Sequence, residues 1–173
     1  MAPSIWQRRL DMVYLTFFLI HIPIMFMVDL FPLYPLSIRS PLLTSLQTWY
    51  IDTYKDRFFT DPPSWFTLFT VLEAIYHVPV SLTAIPLLWR GKESAPTLHL
   101  HLLLFAFQTA LTTLVCIFDY QNWPELSATE RSNLNTLYYP YFYFAVFMVV
   151  DMYERVRGRL EDAALKEEER KGV

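Results

Sequence analysis

A single cysteine, Cys116, occurs in 173 residues. That excludes an internal disulfide framework and any cysteine-based zinc site. Glycine is nearly as scarce, with 3 residues, so no phosphate-cradling loop of the GxGxxG or Walker type exists. Charged residues make up 18% of the chain, against about 25% in a soluble domain. The formal net charge is −3, with no basic stripe, and no nucleic-acid partner is expected. There is no internal repeat, no low-complexity segment and no Asn-x-Ser/Thr sequon. His99 and His101, two residues apart, face different sides of a helix and make a poor metal pair, so neither a metal nor a cofactor is expected. No GxSxG elbow is present and Cys116 has no histidine near it in sequence, which leaves nucleophilic catalysis little support.

What the chain has instead is apolar length. Hydrophobic residues make up 54% and aromatics 17%. About 20 apolar residues at ~1.5 Å each cross ~30 Å of hydrocarbon. Four segments approach that length: about Met12 to Leu30, Ser64 to Trp89, Leu98 to Phe118 and Leu137 to Tyr153, the last short and rich in tyrosine. Trp65, Trp89, Trp123, Tyr138 and Tyr139 fall near span ends, where aromatic belts sit. Pro23, Pro79, Pro86 and Pro140 predict kinks that neighbouring helices tolerate. The N-terminal span reads as a retained signal anchor, since no small-residue cleavage site follows it.

Lysine and arginine set the orientation. Arg8, Arg9, Arg90, Lys92, Arg155, Arg157, Arg159, Lys166, Arg170 and Lys171 lie on one side, and Arg39, Lys55, Arg57 and Arg131 on the other. Ten against four puts both termini in the cytosol. The tail after residue 156 is a short charged helix or disordered. Its end, Arg170-Lys171-Gly172-Val173, partly matches the dilysine signal for return to the endoplasmic reticulum.

Ionisable residues inside the spans are functional candidates by default. Asp29 lies ~25 Å along the first helix from Met12, near its far boundary. Glu73 lies ~12 Å in from Trp65, with His77 four residues on and on the same helical face, so the two are expected to interact. Tyr14, Phe18, His21, Met25 and Asp29 form one helical stripe, and His101, Gln108, Thr112 and Asp119 another. Facing each other, the stripes would enclose an aromatic, acidic pocket. Plainer readings stand beside this one. Asp29 can be a solvated interfacial carboxylate, Glu73 and His77 a purely structural bond, and His21 a satisfied core histidine. The tyrosines at 138 to 143 can serve as packing and interfacial anchors.

The segments "HIPIMFMVDL" (21–30), "WY" (49–50), "YKD" with "PPSWF" (54–56, 62–66), Glu73 with Pro79, and "YYPY" (138–141) together resemble the sigma-2 receptor family of EXPERA-domain membrane proteins. The resemblance runs to about residue 155. It implies an all-α membrane protein with four transmembrane helices, a luminal cap between helices 1 and 2, and both termini cytosolic. The domain boundaries follow: 1–156 for the transmembrane domain and 157–173 for a charged cytosolic tail. The implied setting is multi-pass, in the endoplasmic reticulum membrane among its lipids, with a homodimer as a family expectation.

The resemblance also implies an acidic intramembrane cavity for a sterol-like lipid or hydrophobic amine. Asp29 matches the family's ligand-pairing aspartate, Asp56 its partner acid and Glu73 a deeper acid. His77, Tyr138 and Tyr141 complete the expected ligand-binding set. Two close carboxylates cannot both ionise cheaply, and an ammonium ligand would relieve that. His77 stands where the animal receptor has glutamine, and Gln108 replaces a histidine, so ligand preference need not transfer.

Two functions are implied. One is non-enzymatic: lipid handling, or quality control and rerouting of mitochondrial precursor proteins, with the tail recruiting cytosolic partners. The other is a sterol double-bond isomerase, which needs an acid and a base in a dry pocket, with Glu73 and His77 as candidates. The isomerases resemble a longer chain with a further carboxylate within a helix, whereas residues 98–118 hold no acid. The non-enzymatic reading is therefore preferred.

Overall fold

A computed structural model describes residues 8–91 and 97–172. Lys92 of the charge count, Val173 of the C-terminal signal and residues 1–7 of the expected domain lie outside the described residues. The described residues are all-helical, with no strand. In order, α1 (Arg9–Ile24) runs into a π-turn at Met25–Asp29, and α2 (Pro41–Tyr54) follows two short 3-10 turns. After a 3-10 turn at Arg57–Phe59 come α3 (Ser64–Leu72), a second π-turn at Glu73–His77 and α4 (Val78–Arg90), then α5 (Leu98–Gln121) and α6 (Ala128–Lys171).

Three of these stretches are long and apolar enough to cross a membrane: Arg9–Asp29, Ser64–Arg90 and Leu98–Gln121. The second and third extend a little past the expected runs at their C-terminal ends, and the first begins three residues earlier and ends one residue sooner, at Asp29. Tyrosines dilute the apolar stretch of α6, which sits inside a helix of 44 residues with charged ends. The tail is helical and exposed, a continuation of α6.

Local chemistry explains the breaks. Ser40 caps α2 through its side chain, with Pro41 at the first turn, and Lys55 ends the helix in the left-handed region (φ 54°). Ser127 and Glu130 form a reciprocal capping box at the start of α6. Proline has no N–H and crowds the carbonyl four residues back. Pro79 stands two residues past the end of the second π-turn, where the Val78 N–H reaches back to the Glu73 carbonyl. Pro23 precedes the first π-turn, closed by Leu30 N–H on the Met25 carbonyl at 2.9 Å. By contrast α4 and α6 run on through Pro86 and Pro140. Two of the four prolines thus adjoin local widenings of the helix.

Helix α5 packs along α6, α1 along α4, and α4 against α5, while α2 lies against the first π-turn and α6. One core cluster joins Tyr14, Phe18, Ala84, Leu102, Phe105, Met148 and Met152. A second gathers Phe58, Ile117, Tyr120, Trp123 and Leu134. Trp123 is therefore buried, not part of an interfacial belt. Its ring meets Phe58 edge-on at 4.8 Å and its Nε1–H donates to Asp119 Oδ2 at 2.9 Å. Arg131 closes the C-terminus of α5 by donating to the carbonyls of Tyr120 (3.2 Å), Gln121 and Trp123 (3.0 Å).

At the other end of the bundle an ion network ties three helices. Asp11 accepts from Arg8 at 2.5 Å and from Arg155 at 2.6 Å, and Arg155 also meets Asp151 at 2.9 Å. The Tyr14 hydroxyl donates to Asp151 at 2.7 Å. Arg8 reaches across to the Leu88 carbonyl (3.1 Å) and the Trp89 carbonyl (3.3 Å) at the end of α4. Gly91, at φ +59°, both turns the chain there and leaves the space its missing Cβ would take to the Arg8 guanidinium.

Candidate functional site

The end of the bundle away from that network encloses a cavity of about 540 Å³. Its walls come from α1, both π-turns, α2, α3, α5 and α6. Phe17, Phe66, Phe69 and Tyr54 supply aromatic surface, and Thr109, Thr112 and Thr113 a band of hydroxyls. Asp29 and Glu73 both face the cavity. Asp29 stands at the last position of one π-turn and Glu73 at the first position of the other. Glu73 and Asp56 each lie within electrostatic reach of Asp29. No lysine or arginine is among the lining residues. The cavity is an apolar, aromatic space with two facing carboxyls, a third behind them, two histidines (His21 and His77) and no lysine or arginine among its lining residues.

Asp56 takes a different place from the other five expected site residues. Asp29, Glu73, His77, Tyr138 and Tyr141 reach the wall, whereas Asp56 is 0% exposed and sits behind it. Its Oδ2 accepts from the hydroxyls of Tyr138 (2.8 Å) and Tyr50 (2.9 Å), and its Oδ1 from the Phe58 N–H (3.1 Å). Burial pushes the Asp56 carboxyl above its ordinary range, and these three hydrogen bonds pull it part of the way back. Asp56 joins the exit of α2 to α6 and presents the two tyrosines. It is not itself among the lining residues.

The expected pairing of Glu73 with His77 is not formed. The segment between them is a π-turn, and its i→i+5 hydrogen bonding changes the angular relation that an α-helix gives residues four apart. The His77 ring instead packs on Phe105 of α5, with centroids 4.2 Å apart, and its Nε2 has no hydrogen-bond partner. His21 is buried and also lines the cavity: it stacks on Phe17 at 5.0 Å, and its Nε2 is 3.4 Å from the Tyr141 hydroxyl.

The two polar stripes hold in part. Tyr14, Phe18, His21 and Met25 are buried and Asp29 faces the cavity. On α5, Gln108 and Thr112 reach the wall. His101 is exposed, and Asp119 is turned to Trp123. Tyr138 is a hydrogen-bond donor to Asp56 rather than an interfacial anchor. The sequence reading assigned no role to Tyr50, six residues before Asp56. The signal was the "WY" pair, but its partner is fixed only by the turn at Lys55. Among the described residues no group of three His, Cys, Asp or Glu side chains is arranged to hold a metal ion.

Comparison with known proteins places this architecture. Sigma intracellular receptor 2 of Xenopus tropicalis is 26% identical, over 92% of this chain and 96% of its own length. Efficient mitochondria targeting-associated protein 19 of Schizosaccharomyces pombe is 27% identical, over 84% of this chain and 76% of its own. Human sigma intracellular receptor 2 is 27% identical, over 79% and 82%. The family model EXPERA (EXPanded EBP superfamily) matches residues 42–152, a stretch that contributes most of the cavity wall. A match over more than half of the chain makes this protein a member of the EXPERA superfamily, in the company of the sigma-2 receptors.

Proposed function

We propose that this protein binds hydrophobic amines or sterol-like lipids in its acidic cavity, as a non-enzymatic multi-pass protein of the endoplasmic reticulum membrane. The observation that carries the reading is the cavity itself: about 540 Å³, aromatic-walled, with Asp29 and Glu73 facing it and no lining lysine or arginine. A carboxylate in apolar surroundings is costly unless protonated or paired. An ammonium group on a ligand supplies the missing charge, and the ligand's apolar body fills the aromatic space. Asp29 pairs with the cation, Glu73 lies deeper, and His77, Tyr138 and Tyr141 bound the remainder. Asp56 is a positioning residue.

In this reading α6 provides a fourth span over residues 137–153. Both termini are cytosolic, and α2 with its flanking turns forms a luminal cap. The charged end of α6 then faces the cytosol and is available to protein partners. Two relatives carry names that refer to efficient mitochondria targeting. That supports a role in lipid handling or in rerouting mitochondrial precursors.

A sterol isomerase is the second reading, favoured by Glu73 and His77 sharing one cavity. Against it stand the missing hydrogen bond between them and the absence of any acid in residues 98–118.

The test is binding of a radiolabelled amphipathic amine to purified protein, wild type against Asp29→Asn, with sterol conversion assayed on the same sample. Saturable binding that falls at least tenfold in the variant, without conversion, is expected; losing a close charge partner costs about 2 kcal/mol or more. Sterol conversion with amine binding unchanged in the variant would overturn the reading.

A further inference from the structure

Helix α2 has three sides. Gln47 is buried, and Leu43, Tyr50 and Tyr54 on the same side are half-buried toward the bundle. Ser45, Thr48 and Asp52, at i, i+3 and i+7, form an exposed polar edge. Leu42, Leu46 and Trp49, at i, i+4 and i+7, form a separate edge, with Leu42 74% and Trp49 56% exposed and Leu46 half-buried between them. The chain leading into the helix adds Leu36 at 83% and Ile38 at 56%.

Single exposed apolar side chains need no explanation, but a row of them does. This row adjoins the end of a span. α2 packs on the π-turn Met25–Asp29, where Phe26 and Met27 are themselves exposed, at the end of the first apolar stretch. The polar edge begins beside it on the same helix. A helix with one apolar edge, one polar edge and a tryptophan between them has the form of an interfacial helix. The apolar edge is one side chain wide, too narrow for the roughly 800 Å² per partner that a stable protein interface buries.

We propose that the apolar edge of α2, Leu42, Leu46 and Trp49, together with Leu36 and Ile38, is seated on a lipid surface, in the headgroup–acyl boundary of the bilayer, with Ser45, Thr48 and Asp52 facing water. The proposal rests on the spans crossing a membrane and is independent of what the cavity binds. Trp49 also lines the cavity, so one side chain meets lipid on one face and the cavity on the other. The bilayer thereby holds one wall of the cavity in place.

Nitroxide labels introduced by Leu42→Cys, Thr44→Cys, Leu46→Cys and Thr48→Cys, each with Cys116→Ser, test this in the full chain reconstituted into phosphatidylcholine vesicles. Collision with oxygen reports the bilayer, and collision with a water-soluble nickel chelate reports water. The expected result is an oxygen-to-nickel ratio severalfold higher at 42 and 46 than at 44 and 48. Labels at 42 and 46 as open to nickel as those at 44 and 48 would overturn the proposal, because the edge then stands in water. Labels at 42 and 46 that are immobile, shielded from both reagents and broadened by a neighbouring spin would overturn it equally, because a second copy then covers the edge. The paired positions serve as replicates: Leu42, Thr44 and Thr48 are exposed and Leu46 is half-buried, and the hydroxyls of Thr44 and Thr48 donate only to backbone carbonyls one turn earlier.

Discussion

Removing one hydroxyl, by Tyr138→Phe, isolates the contact that fastens α2 to α6. In the wild type the Asp56 carboxyl is fully buried and holds three donors, two of them phenols converging on Oδ2. The substitution keeps the ring and its packing on Tyr120, with centroids 5.2 Å apart, and leaves Oδ2 with Tyr50 alone. A hydrogen bond to a charged group contributes about 1.5–3 kcal/mol. If that energy is lost to local release of α2, the open population rises roughly 10- to 100-fold.

Lys55 and Arg57, both half-exposed, lie in the segment that would open, so limited trypsin digestion reports the release directly. Cleavage after residue 55 or 57 should accelerate by that factor, and a denaturant titration in mixed micelles should lose about 1.5–3 kcal/mol. In a double-mutant cycle with Asp56→Asn, the Tyr138→Phe penalty should shrink by about 1 kcal/mol or more, because the acceptor geometry is already spoiled. A penalty below about 0.5 kcal/mol, or strict additivity in the cycle, would refute the argument that Asp56 is held by Tyr138.

Further outcomes follow from the same structure. Asp11→Asn leaves Arg8 and Arg155 without their shared carboxylate, and breaking such a largely buried network costs about 3 kcal/mol. The midpoint of thermal unfolding should fall by roughly 6–12 °C, and a fall under about 2 °C would show that the network contributes little. Asp56 also predicts a pH dependence. Its folded-state pKa is raised, so the folded protein binds more protons than the unfolded chain, starting near the ordinary value of 3.8. Its contribution is therefore full below that value and is lost as pH rises through the folded pKa. The stability difference between wild type and Asp56→Asn should change in that direction between about pH 4 and the raised value and then level off. A difference that is flat with pH would mean that the carboxyl titrates alike in both states.

The sequence alone determined the class of solvent and the positions of the spans. Apolar runs, scarce charge and turn-forming residues act through local composition, and three spans lie where their hydropathy put them. It also marked Asp29 and Glu73, because a carboxyl inside an apolar run is conspicuous wherever the run folds. The caps that start α6 at Ser127 and Glu130 and α2 at Ser40 and Pro41 depend on neighbours a few residues away as well, although hydropathy alone did not reveal them.

The rest depended on distance in space. Asp56 lies behind the cavity wall because Tyr50 and Tyr138, the latter 82 residues away, close over it. The pairing of Glu73 with His77 failed because the helix beside Pro79 widens by one residue and Phe105 takes the imidazole. Trp123 moved from a belt into a core because Phe58 folds back to meet it. Periodicity reports which face of a helix is apolar, but not what stands opposite that face. Only the packing of α2, α5 and α6 around one space decided which side chains share the cavity, because their contacts form between residues that the chain itself keeps far apart.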